Sequence, residues 1–439
     1  MASVAQDGPS AADPPGGWTA IFPPARWLAA YQARWLPADL VAGITLAAYA
    51  IPVSLAYAGL AGLPPQVGLY GYLLGGLGYA LFGSSRHLAV GPTSAISLMV
   101  GGTVAQMAGG DALRYAQIAT LAGFVVAFMS LLAWLLRLST LTSFISETNL
   151  LGFKAGAGLS IASTQLASFL GVAGGGDHFF TRLQAIATQW GDIDPVNTAV
   201  GVAALVLLLV GDKVLPGRPV ALLVVALSIA AVSLTALGRA GLTLVGGVPS
   251  GLPQLGLPEL RLRDVDGLLP LGFACLLLAY IEGVSAARTF AAKHDYLLDV
   301  RQELLGLGSA NLLVALGGGY PVAGGLSQSA VNEKAGAKTP LALLFASTTL
   351  GLCLLFLTGL VQNLAKAVLA AVVLVAVKGL IDFREMARLW RISRFDFSVA
   401  IVAFAGVLLL GILKGVLLAA VASILLKPAM TPNRVPSGG

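Results

Sequence analysis

Apolar runs follow one another along almost the whole chain, separated by short polar stretches. A spanning helix needs about 20 mostly apolar residues, and runs of this kind predict segments at 38–60, 66–82, 93–108, 113–136, 148–171, 195–211 and 217–237. A second set follows at 267–289, 303–318, 326–338, 340–360, 362–380, 395–412 and 414–428. The expected fold is an all-α membrane protein of fourteen transmembrane segments in two groups of seven. An odd-numbered group leaves its copy upside down in the bilayer, so the groups are expected to be inverted repeats, as in many secondary transporters. Segments 93–108 and 326–338, each third in its group, are the least able to cross alone and are expected to be short half-helices 3 and 10.

The polar stretches set the boundaries. Residues 1–35 are expected to form a cytoplasmic tail, Met1 to Pro15, and an amphipathic interfacial helix, Trp18 to Trp35. Residues 36–237 are the first repeat, 238–266 an extracellular or periplasmic loop, 267–429 the second repeat, and 430–439 a C-terminal stub.

Composition narrows the class. The chain is 57% hydrophobic and 10% charged, with a mean hydropathy of +0.86, whereas a soluble domain carries roughly 25% charged residues. Its net charge of +6 reads as topology rather than nucleic-acid binding. With the N-terminus inside, the inner side collects Arg86, Arg137, Lys154, Lys213, Arg218, Arg288, Lys293, Arg301, Lys334, Lys338 and the cluster Arg384, Arg388, Arg391 and Arg394. The outer side keeps far fewer, which is the positive-inside pattern. A multi-pass protein of the inner cell membrane with both termini cytoplasmic is expected. Cys275 and Cys353 lie in apolar runs and read as small buried hydrophobes, and three histidines argue against a catalytic metal. No cofactor is expected. With no GxxxxGK[ST] loop and no nucleophile–base pairing, neither a nucleotide-driven pump nor an enzyme is expected.

Candidate chemistry gathers at the two short segments. The first follows GSSRHLAVGPTSAISLM, where Gly91-Pro92 breaks the chain and Thr93, Ser94 and Ser97 supply hydroxyls. The second follows GGGYPVAGG and opens with Leu326, Ser327, Gln328 and Ser329. Both read as an extended approach into the membrane followed by a half-helix that starts inside it. A helix start carries unpaired N–H groups and about half a positive charge, so two starts meeting at the midplane make an anion site. Such backbone is tolerated at that depth only where it is buried or lines a cavity. Glu282, in YIEGVSAARTF, is a carboxylate near the middle of a span and a candidate proton-coupling residue. Glu147, Lys154, Lys366 and Lys414 fall near segment ends and read as interfacial or snorkelling residues. Pro52 is expected to kink or break the first span, with Ser54 and Tyr57 behind it facing a cavity.

These residues also carry a resemblance. Asp39 to Pro65 with GLYGYLLGGLGYALFGSSRHLAVGP, and the run from YIEGVSAARTF to VNEKAGAKTPL, resemble the sulfate permease (SulP) family, also called solute carrier family 26, over nearly the whole chain. The resemblance implies a core domain of segments 1–4 and 8–11 and a gate domain of 5–7 and 12–14. It further implies an elevator-like movement of one against the other, and a homodimer. Its anion site carries over to Val53, Tyr57, Thr93, Leu326, Ser327 and Gln328. Many members have Gln where this chain has Val53, and Arg where it has Gln328. Glu282 matches an acidic position that family symporters use for cation coupling. Members usually continue into a STAS domain where this chain reads LLKPAMTPNRVPSGG, so a form truncated ahead of that domain is expected.

The expected function is secondary active transport of a small anion of the dicarboxylate, sulfate or bicarbonate class, by proton-coupled symport. The alternative is an anion exchanger or passive anion channel. The expected partners are the anion, protons, the bilayer and a second copy of the chain, with no nucleic acid.

Overall fold

The computed structural model describes residues 22–138, 147–176, 179–215, 220–235, 241–247, 249–259, 261, 264–378 and 381–411. The expected tail, the start of the interfacial helix, the span at 414–428 with Lys414, and the C-terminal stub lie outside the described residues. So does the side chain of Glu147.

The helices follow the apolar runs closely. The first half holds α1 (Pro24–Trp27), α2 (Leu36–Leu60), α3 (Pro65–Phe82), α4 (Ser94–Ala108), α5 (Ala112–Leu135), α6 (Glu147–Leu170), α7 (Phe179–Thr188), α8 (Pro195–Val214) and α9 (Val220–Leu234). The second holds α10 (Val265–Lys293), α11 (Val300–Leu316), α12 (Leu326–Lys334), α13 (Leu341–Phe356), α14 (Thr358–Val361), α15 (Lys366–Lys378), α16 (Phe383–Ile392) and α17 (Arg394–Leu410). Two short strands, β1 (Val90–Gly91) and β2 (Ala323–Gly324), precede α4 and α12. Among the described residues, four helices are long and apolar enough to cross a bilayer alone, those within Ala33–Leu60, Ala112–Leu135, Pro195–Val214 and Val265–Lys293.

Three expectations need correcting. Trp18 to Trp35 is not one interfacial helix: α1 ends at Trp27, Gln32 is extended, and Ala33–Trp35 is a 3-10 turn running into α2. Trp35 is buried and Tyr31 packs edge-on against it, whereas Leu28 to Ala30 and Gln32 to Arg34 are exposed. Pro52 does not break the first span, because α2 runs through it. The run 340–360 is interrupted at Leu357, between α13 and α14. The arginine cluster forms α16, whose first N–H groups are capped by Asp382. It stands between the fifth and sixth segments of its half, as α7 does in the first.

The same neighbour pairs recur in the two halves. Just as α13 packs on α2 and α3, α5 packs on α10 and α11; α12 lies against α2 as α4 lies against α10; and α17 packs on α6 as α8 packs on α15. Two bundles result. One contains α2 to α5 with α10 to α13, and the other α6, α8, α9, α15 and α17; α2 and α4 touch the second bundle. Glycine permits close crossings, since a Cβ at Gly78 of α3 would come within 2.6 Å of the Ala310 Cα of α11. In the first bundle a hydrophobic core including Leu46, Leu69, Ile96, Ile118, Leu271 and Leu304 encloses the two strands.

Candidate anion site

β1 and β2 pair with each other, antiparallel, with Val90 opposite Gly324 and Gly91 opposite Ala323. The two extended approaches thus meet as one ribbon, and each turns directly into a helix. Thr93 and Gly325 are the extended residues that open α4 and α12, and neither start has a side-chain cap. The first turns close from Ser97 N–H to the Thr93 carbonyl (2.9 Å) and from Ser329 N–H to the Gly325 carbonyl (3.0 Å). The N–H groups ahead of these, on Ser94 to Ile96 and Leu326 to Gln328, have no carbonyl one turn back to bond.

Buried side chains hold this ribbon. The Gln328 amide donates to the carbonyls of Ala89 (2.8 Å) and Ala323 (3.1 Å), and Tyr72 donates its hydroxyl to the Gln328 Oε1. Gly91 lets the Tyr72 ring lie on the strand, where an added Cβ would meet the ring at 2.5 Å. Ser329 accepts from the Ala89 N–H (2.9 Å) and donates to the Gly325 carbonyl (2.7 Å). Asn311 grips Val322 through both its N–H and its carbonyl, and Ser97 pairs with the Tyr320 hydroxyl at 2.8 Å. Further out, Asn332 donates to the His87 carbonyl, and the buried Glu303 accepts from Tyr79 and from Ser84.

The helix starts open on a cavity of about 130 Å³. It is lined by Tyr49 and Tyr57 of α2, Tyr72 of α3, Pro92 to Ala95, Lys154 of α6, Glu282, Ser285 and Ala286 of α10, Gly325 to Gln328, and Ala376 of α15. Among the described residues, Lys154 is the cationic side chain on this lining and Glu282 the carboxylate, and their charges act on each other. The Thr93 hydroxyl is buried with no hydrogen-bond partner among the described residues, a polar group left for something else to satisfy.

Of the residues singled out in the sequence, Tyr57, Thr93, Ser94, Leu326, Ser327, Gln328 and Glu282 stand together on this cavity. Val53 and Ser329 do not line it. Val53 is 2% exposed in the core, although it lies one turn from both Tyr49 and Tyr57, and Ser329 faces back into the ribbon. Ser54 is likewise turned away, bonding to the Ile51 carbonyl in its own helix. Lys154, read as interfacial, is on the cavity wall. Tyr49 and Tyr72 were missed; the spacing of Tyr49 and Tyr57, two turns apart on one face of α2, was the available signal.

Comparison with known proteins gives a consistent picture. The sequence profile of the Sulfate permease family matches residues 36–403. A probable sulfate transporter of Mycobacterium tuberculosis is 36% identical over 395 residues, covering 90% of this chain and 70% of the relative. Probable sulfate transporter 3.3 of Arabidopsis thaliana is 32% identical, covering 91% of this chain and 66% of its own length. Among solved structures, the murine Slc26a9 anion transporter in the inward-facing state superposes with a TM-score of 0.87 at 23% identity, covering 95% of this chain and 72% of that one. The transmembrane domain of the cyanobacterium bicarbonate transporter BicA gives 0.76 at 23% identity, covering 90% of this chain and 98% of that one.

Proposed function

The chain belongs to the Sulfate permease family and is a membrane-embedded anion transporter; from that premise we propose that it is a secondary active symporter carrying one small anion with a proton. The carrying observation is the convergence of two uncapped helix starts and an unpartnered Thr93 hydroxyl on one cavity that also holds Lys154 and Glu282. The anion lies across the starts of α4 and α12, taking hydrogen bonds from Ser94, Ala95, Ser327 and their neighbours. Glu282 takes the proton, because a carboxylate in a low-dielectric wall next to an arriving anion is stabilised by neutralisation. The names of the sequence relatives favour sulfate within the expected class of anions.

In this reading the chain forms fourteen spans as two inverted repeats, supported by the recurrence of neighbour pairs between its halves. The first bundle, which owns both helix starts and Glu282, is the moving core, and the second, which owns Lys154, is the gate. Elevator movement would carry the whole ribbon as one body, as its dense internal hydrogen bonding favours.

Uptake of labelled sulfate into proteoliposomes, with and without an inward proton gradient, tests the reading. Wild-type uptake should rise with the gradient, Glu282→Gln should lose that dependence, and Ser327→Trp, which fills the cavity, should bring uptake to background. Gradient-independent uptake by the wild type would remove the proton from the account. Full activity in Ser327→Trp would remove the site.

A further inference from the structure

Among the described residues the cavity holds one cationic side chain and one carboxylate, and they come from different bundles. Lys154 sits on α6, which packs on α8, α15 and α17 and touches α4, whereas Glu282 sits on α10, packed on α4, α5, α11, α12 and β2. Lys154 makes no hydrogen bond or ion pair with another described residue, although it is half-buried. Gln328, at the opposite wall, has both N–H groups committed to the carbonyls of Ala89 and Ala323 and so has no donor left for a ligand. Among the described residues, the full positive charge offered to an anion here is that of Lys154.

Each element packed around Glu282 brings its own groups toward it. From α2 and α3 come the hydroxyls of Tyr49, Tyr57 and Tyr72, and the starts of α4 and α12 give hydroxyls and N–H groups but no ionisable side chain. Glu303 of α11 lies on another face of α10, with Tyr280 and Gly283, and is held by Tyr79 and Ser84. On α5 the charged side chain is Arg114, at its far end and paired with Asp264. Arg288 and Lys293 stand further along α10, toward its end.

We propose, on top of the transporter reading above, that Lys154 is the specificity-determining residue that admits a doubly charged anion, and that it does so when Glu282 is protonated. Two helix starts supply about one positive charge between them. With Glu282 ionised, Lys154 is balanced and the cavity presents about one positive charge, matched to a monoanion. With Glu282 protonated, Lys154 is released and the cavity presents about two, matched to a dianion such as sulfate. The proton and the second negative charge of the anion then arrive together. Because Lys154 belongs to the other bundle, its contact with the anion exists only while α6 lies beside the helix starts.

Paired uptake of labelled sulfate and labelled nitrate tests this, using the full chain in proteoliposomes between pH 5.5 and 7.5, where neither anion titrates. Lys154→Ala should raise the KM for sulfate roughly 10- to 100-fold, the loss of one charge-assisted contact, and move that for nitrate by less than about 3-fold. Lys154→Met, of similar length, should do the same with the cavity wall intact, and Lys154→Arg should restore sulfate. In the wild type the sulfate-to-nitrate ratio should climb as the pH falls, and in Glu282→Gln it should be high and flat. A wild-type ratio retained by both Lys154→Ala and Lys154→Met would overturn the inference while leaving the transporter reading standing. A wild type that takes up neither anion would overturn both.

Discussion

The two helix starts look alike in backbone and differ in what their side chains do. At the start of α4 the Thr93 hydroxyl is buried without a partner among the described residues, and the helix continues for 15 residues into an apolar core. At the start of α12 the Gln328 side chain is bonded on both its nitrogen and its oxygen, and the helix stops after 9 residues. Its far end is polar, with Glu333 paired to Lys293 and His294. One start keeps a free donor for a ligand, and the other spends its side chain on the frame that holds both starts together. Equivalent geometry therefore does not imply equivalent roles, and the two should respond differently to substitution.

The largest effect is expected at Gln328. Gln328→Ala leaves the Tyr72 hydroxyl without its acceptor and takes one bond each from the Ala89 and Ala323 carbonyls, which should cost about 3 kcal/mol of stability and bring uptake close to background. A thermal melt in detergent alongside uptake would show both losses together. If stability held while only affinity fell, Gln328 would be a ligand contact and the contrast between the starts would disappear.

Next is the contact of the first approach with α12 and the end of α10, at the cytoplasmic edge expected from the charge pattern. There His87 is 4% exposed, stacked on His294 with ring centroids 4.4 Å apart, and its carbonyl accepts from Asn332 of α12. Burial, and then the neighbouring His294, push the His87 imidazole down to about 4. The unfolded chain takes up this proton near the usual value of about 6.5, so its neutral native form loses stability as the pH falls from about 6.5 to about 4. The loss should approach about 3 kcal/mol, and His87→Gln should flatten it. Melting curves at pH 7.5 and 5 would check this, and an equally acid-sensitive His87→Gln would assign the loss elsewhere.

The smallest effect should come from Thr93. Thr93→Val keeps the shape and removes a hydroxyl that bonds nothing within the described protein. Stability should stay within about 0.5 kcal/mol, while the KM for the anion rises roughly 5- to 10-fold, one neutral hydrogen bond. Taken with Gln328→Ala, this separates the frame from the ligand contact in a single pair of melts and uptake curves.

How far these roles could be read from the sequence depended on whether a residue's environment is local. Gly91-Pro92 and the glycines before Leu326 announce interrupted helices because backbone freedom is written in the residue type. Glu282 stood out because a carboxylate deep in an apolar run has few bland explanations. Lys154 did not stand out, since the cavity reaches it through the packing of α6 on α4, a contact the residues around Lys154 do not announce. The pairing of β1 with β2 was likewise invisible, joining residues more than 200 positions apart. Val53, carried over from the family resemblance, and Ser329, read from the helix start, lie off the cavity wall because a helix turns neighbouring positions to different faces.

The central claim is that the anion sits between the two helix starts, and its most direct test is to locate it. Crystals of the protein soaked in selenate, a sulfate analogue with anomalous scattering, would mark the position without reference to activity. The account predicts one strong peak within hydrogen-bond distance of the backbone nitrogens of Ser94 or Ala95 and of Ser327, close to the Thr93 hydroxyl. A peak elsewhere, with this cavity empty at a selenate concentration that competes for uptake, would contradict it.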